Sequence, residues 1–171
     1  DPGDGSVFTC GLTDPLAGAG LLSDAEVDLA AGATLDLGGS AQTVALLAGS
    51  GSVTNGTLAS GTVISPAGDE AVGALALNGV ALAAGTTYRL TVDGAQSDVL
   101  TSSGALDLSG LTVVAATANE PGATTYVIAH AEGGLTGEKP ALSGFPSKYK
   151  LIRNGNDLLL TSQSGLILQL R

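Results

Sequence analysis

The sequence predicts an all-β fold, either a coiled β-solenoid or a β-sandwich. Three observations lead there. The stretch Ala33 to Leu58 (ATLDLGGSAQTVALLAGSGSVTNGTL) alternates Leu, Val and Thr with small or polar residues, as short strands do. Gly-Gly, Gly-Ser-Gly and Asn-Gly break those strands every few residues, which is turn chemistry. The 171 residues include 26 Gly, no Trp and no Met. A core without large aromatics must be thin and regular, filled by stacked Leu, Val, Ile and Ala, and a solenoid has such a core because each coil covers only its neighbours. A hydrophobic content of 44% excludes a disordered chain, and the glycines lack the period of three that collagen needs.

Three segments follow in order. Residues 1–24 read as an N-terminal loop or cap, with Asp-Pro and Gly-rich turns around a short Val7-Phe8-Thr9 strand. Residues 25–138 carry the coil pattern. A loose Gly-x-Leu-x-Leu motif appears at Ala33–Leu37, Gly73–Leu77 and Gly104–Leu108, with Thr57-Leu58 and Tyr88-Arg89-Leu90 between, and a degenerate copy at Asp157–Leu160. The leucines at 35, 58, 75, 90 and 106 are separated by 23, 17, 15 and 16 residues, a spacing that suits an array with loops of varying length. Leu-x-Leu alternation sends leucines inward and Thr or Asp outward. Residues 139–171 form a basic cap and a terminal strand. Pro140 and Pro146 break regular pairing there, and Phe145 and Tyr149 are expected to cover the core end.

The Ala33–Leu58 repeat resembles the autotransporter-associated β-strand repeat of bacterial secreted and surface proteins. The resemblance continues through Gly85-Thr86-Thr87-Tyr88, Asp98-Val99-Leu100, Thr125-Tyr126-Val127-Ile128, Gly133–Gly137 and Asn156-Asp157-Leu158, covering roughly residues 25–162. It implies a right-handed parallel β-helix with a C-terminal capping region, on the surface of a bacterium or secreted from it. It also implies a passenger role, stalk or adhesin, although neither a barrel nor a sorting tail follows these residues. A chain starting at Asp1 is expected of a processed or excised protein.

Charge is unevenly placed. Residues 1–138 hold fifteen acidic residues and Arg89 as their one Lys or Arg, whereas residues 139–171 hold five basic residues and Asp157. A net charge of −10 argues against nucleic acid. The longest apolar-looking run, Ala71 to Gly85, is too short for a membrane helix, and aromatic girdles of a transmembrane barrel are absent. In a quasi-linear array, sequence order is axial order, so the molecule has an acidic body and a basic end. That polarity permits end-to-end contact between copies, and a repeated contact that does not close makes a filament. The expected assembly residues are the apolar tail Leu166, Ile167, Leu168 and Leu170, which can add to an open strand edge, with Lys148, Lys150 and Arg153 meeting acids of the next copy. The tail can equally pair within its own domain, and the basic end can face an anionic cell surface.

No residue set points to catalysis. His130 is the single histidine, without a Gly-x-Ser-x-Gly elbow, and reads as structural or solvent-facing. Cys10 is alone, either a buried small hydrophobe or a link between chains, and cannot make a zinc site with one histidine. Asp24, Glu26 and Asp28 share one strand face and could hold Ca²⁺, but a solvated acidic face is the preferred reading; Asp1, Asp4 and Asp14 are a weaker set, and Asp69-Glu70 reads as exposed turn charge. Asn55-Gly56-Thr57 matches a glycosylation acceptor but reads as a turn. A glycan enzyme would need clustered acids with basic partners, and a lectin would want aromatic platforms. The expectation is therefore a non-catalytic extracellular structural protein without cofactor, whose partners are copies of itself or cell-surface components.

Overall fold

The computed structural model describes residues 7–9, 25–116 and 119–162. Every element among them is a β-strand. The chain alternates between two large sheets. One takes strands Val7–Thr9, Thr34–Asp36, Ser52–Leu58, Ala74–Leu82, Val99–Ser102 and Thr125–Ala131 in chain order, all parallel. The other takes Glu26–Leu29, Leu46–Gly49, Val63–Ile64, Thr86–Leu90, Leu111–Ala115 and Ala141–Ser143, again all parallel. Smaller pairings, Ala41–Gln42 with Ser52–Leu58 and Leu106–Asp107 with Leu135–Thr136, lie between them in chain order and are also parallel.

The registers explain the uneven leucine spacing. In the first sheet, Thr34 pairs with Ser52 18 residues on, Ser52 with Ala76 after 24, Ala74 with Val99 after 25, and Leu100 with Ala129 after 29. In the second sheet the steps are 20 from Glu26 to Leu46 and 17 from Leu47 to Ile64, and from there they match the first sheet: 24 from Val63 to Thr87, 25 from Thr86 to Leu111, 29 from Thr112 to Ala141. Matching steps mean that the added residues enter at one place, between a second-sheet strand and the next first-sheet strand. Those insertions are the segments 65–73, 91–98 and 116–124. The leucine motifs fall on different sheets, so their spacing mixes positions: Leu35 and Leu75 lie in the first sheet, Leu90 in the second, and Leu106 in the small pairing with Leu135.

Inward positions form columns of like residues. Leu35, Val53 and Leu77 are in register, as are Leu75, Leu100 and Ala129, and all are buried. Leu47, Ile64, Tyr88 and Val113 make the matching column of the second sheet. Period-two alternation puts Thr34, Asp36, Thr87 and Arg89 outside. Tyr88 is wholly buried, and its hydroxyl donates to the carbonyl of Ile128 at 3.2 Å, bridging the two sheets through the core. Asn55 turns the backbone within the strand Ser52–Leu58 at φ 54°, and its amide donates to Asp36 Oδ1 at 3.1 Å. The Asn-Gly signal thus marks a bend inside a strand, where Asn tolerates positive φ.

The C-terminal end departs from the parallel pattern. Asp157–Ser162 joins the first sheet antiparallel to Thr125–Ala131, and Tyr149–Asn154 pairs antiparallel beyond it as the last strand. The Asp157–Leu160 motif is therefore part of a hairpin rather than a further parallel repeat. Gly155, at φ 58° and first in the two-residue loop Gly155-Asn156, allows that reversal. Tyr149 is buried beneath this hairpin and meets the half-buried Phe145 edge-on, with ring centroids 6.0 Å apart. Residues 139–153, expected as a long loop or cap, contribute the strands Ala141–Ser143 and Tyr149–Asn154.

Candidate functional site

The three insertions stack on one another into a ridge. In the first, the Gly68 carbonyl accepts from the Thr91 hydroxyl at 3.0 Å, and Asp69 takes Arg89 Nη1 at 3.0 and 3.1 Å on its two oxygens. The second folds as the short hairpin Val92–Gly94 and Gln96–Ser97. The third lays Glu120–Pro121 parallel to Val92–Gly94, with Glu120 directly beside Asp93. Asn119 Oδ1 accepts from the Val92 amide at 2.7 Å, and the Tyr126 hydroxyl donates to the Gly94 carbonyl at 2.9 Å while accepting from the Ala123 amide at 2.6 Å.

Asp98 holds the base of this ridge. Its side chain has no solvent exposure; Oδ1 accepts from the Gly73 amide at 2.7 Å and Oδ2 from the Thr91 amide at 2.9 Å. The one carboxylate therefore ties the first insertion to the second. Loss of water around it pushes its pKa up to about 6, against the pull of those amide bonds, with Asp69 adding repulsion. The Tyr88 hydroxyl is raised well above its ordinary value, by burial first and by the Asp98 charge second.

Two grooves flank the ridge. One, of about 670 Å³, runs between the strand Glu26–Leu29 and the first insertion; Leu46, Ala48, Pro66 and Val72 line it, with Glu26 and Asp28 at its rim. The other, of about 490 Å³, lies between the first and second insertions and Thr125–Val127, and Ala74, Val99 and Val127 make it apolar. Val127 is in register with Leu159, and Leu159 with the exposed Ile152, which extends that apolar row across the terminal hairpin.

The sequence-derived residues fall in different places. Glu26 and Asp28 share the outer face as expected, while Asp24 lies outside the described residues, as do Cys10, Asp1, Asp4 and Asp14. Among the described residues no three His, Cys, Asp or Glu side chains gather as a metal site. Leu166, Ile167, Leu168 and Leu170 also lie outside the described residues. Lys148 and Lys150 are exposed, and the Lys148 ammonium sits 5.3 Å from the centre of the Tyr149 ring. Arg153 turns onto its own chain, donating through Nη2 to the Thr136 and Gly137 carbonyls at 2.9 and 2.6 Å. Lys139 donates to the Leu151 carbonyl at 3.1 Å. His130 Nδ1 lies 2.6 Å from Asp157 Oδ1, joining the last parallel strand to the antiparallel hairpin.

Sequence reasoning did not single out Asp98, Asn119 or Tyr126 as ridge residues. The leucine spacings of 23, 17, 15 and 16 carried no signal of them, because those leucines mix positions on different sheets; the widening shows only in the pairing registers. No described helix is long and apolar enough to cross a membrane. No protein-family model matches the chain, and no curated protein matches it.

Proposed function

We propose that the chain is a non-catalytic structural module, a right-handed parallel β-solenoid that acts as a rigid rod at a bacterial surface or after secretion. The observation that carries this reading is that two parallel sheets share the same successive steps of 24, 25 and 29 residues, with aliphatic columns between them. Successive coils that each return to the same columns account for that stepping; a sandwich is ordinarily built of antiparallel sheets. Handedness and surface location rest on the resemblance to the autotransporter repeat. Insertions at one corner suit a display ridge, since loops of repeat proteins gather on the binding face.

Self-association end to end into a filament or fibre is the form of this function we favour. Its support is the opposition of acidic and basic ends. Negative-stain electron microscopy and sedimentation at low and high salt test it. Regular filaments that shorten in high salt are the expected result; monomers at every concentration would refute self-association. One observation favours the second reading, a passenger stalk of an adhesin. The last strand of the first sheet, Tyr149–Asn154, has its Leu151 carbonyl covered by Lys139 and runs antiparallel, so it is a poor template for a further parallel coil.

A further inference from the structure

We propose that the groove between the strand Glu26–Leu29 and the Pro66–Gly73 insertion receives the basic turn of a second copy, with Lys148 and Lys150 meeting Glu26 and Asp28. This rests on the self-association proposed above and names its contact.

The argument begins with counter-charge. Glu26 and Asp28 are exposed at the groove rim, and neither forms an ion pair among the described residues. Before Lys139 the sequence contains one Lys or Arg, Arg89, and that guanidinium is held by Asp69. Residues 1–24 contain no basic side chain at all. The ridge beside the groove adds Glu70, Asp93 and Glu120 to the same negative field. Charges that neutralise the rim must come from the chain's own C-terminal end or from another molecule.

The described cations of its own C-terminal end are out of reach. Glu26–Leu29 and Ala141–Ser143 are the opposite edges of the six-stranded sheet, roughly 24 Å apart at about 4.8 Å per strand. At that far edge Lys139 and Arg153 are already spent on carbonyls, whereas Lys148 and Lys150 are exposed and without an ion pair among the described residues. A second copy placed head to tail brings these two ammonium groups to the two carboxylates, and the Pro146-Ser147 turn against the apolar lining of Leu46, Ala48 and Val72. The contact is made by side chains. It needs no strand addition, which the covered Leu151 carbonyl opposes.

Charge reversal with rescue tests this, using the whole chain in sedimentation velocity at low salt. The Glu26→Lys, Asp28→Lys variant and the Lys148→Glu, Lys150→Glu variant should each lose association by about tenfold or more, and an equimolar mixture of the two should recover it, because each supplies the complement of the other. All four side chains are exposed, so circular dichroism should show both variants folded. Association of the wild type that neither reversal weakens would overturn the groove contact and leave self-association standing. A wild type that never associates would overturn both. Calcium titrated into the wild type under conditions where it sediments as monomer should give no saturable heat; saturable heat that the Glu26→Lys, Asp28→Lys variant abolishes would make the groove a cation site and overturn the contact.

Discussion

Asp98 shows how one residue can set the pH response of the fold. Burial raises its pKa to about 6 from 3.8, so the folded state holds the proton more tightly than the unfolded chain does. Its contribution is fully present below pH 3.8 and is lost as pH rises through 6. The span amounts to about 2–3 kcal/mol at about 1.4 kcal/mol per pH unit. Asp98→Asn, neutral throughout, is expected to flatten the fall in stability between pH 4 and pH 7, read as urea midpoints at each pH. A fall that is unchanged in the variant would move the titration elsewhere. Gly49 is a second decisive residue. At φ 104°, an added Cβ would run into the backbone O and N of Leu29 on the neighbouring strand. Gly49→Ala should cost at least ~2 kcal/mol, measurable by thermal or urea unfolding, because neither backbone can give way.

Among the elements, the parallel strands were readable and the terminal hairpin was not. Leu35, Leu75 and Leu106 announce inward columns through simple alternation, and the same alternation appears in Leu158 and Leu160. Alternation reports which face is buried but not the direction of the neighbour, so Asp157–Ser162 looked like another repeat. The direction is set by the loop Gly155-Asn156 and by contacts distant in sequence, such as His130 with Asp157. The ridge was hidden for a related reason. Asp98 lies in a polar stretch, and only the stacking of residues 25 apart brings the Gly73 amide onto its carboxylate. In the candidate groove, Glu26 and Asp28 were visible as a shared face, but their wall comes from Pro66 to Gly73, which no local pattern links to them. At this scale the edge strand Tyr149–Asn154 yields a prediction. Lys139→Ala should uncover the Leu151 carbonyl and increase thioflavin-positive aggregation on storage; equal aggregation of variant and wild type would deny the lysine a guarding role.

For the molecule as a whole, stability is spread along the stack rather than concentrated at one centre. Each strand of the large sheets pairs only with the strands beside it, so local loss should spread from neighbour to neighbour. Leu77, buried between strands at the middle of the first sheet, should cost about 2–5 kcal/mol when changed to Ala, and hydrogen exchange should then rise most in the strands Ser52–Leu58 and Val99–Ser102. Uniform loss of protection across all strands would instead mean one cooperative unit. The proposed head-to-tail contact belongs to this scale too, since it depends on the separation of Glu26–Leu29 from the described basic residues across the sheet.

The corner that takes the three insertions has an engineering consequence. Steps of 18, 24, 25 and 29 residues coexist in the first sheet because the surplus enters no strand of either large sheet. The segment 116–124 is thus a natural port for foreign sequence: an epitope or affinity tag spliced there would lengthen one lap and leave the columns above and below undisturbed. A tag of equal length placed at Asn55-Gly56 would interrupt the strand Ser52–Leu58 and the pairings on both of its sides.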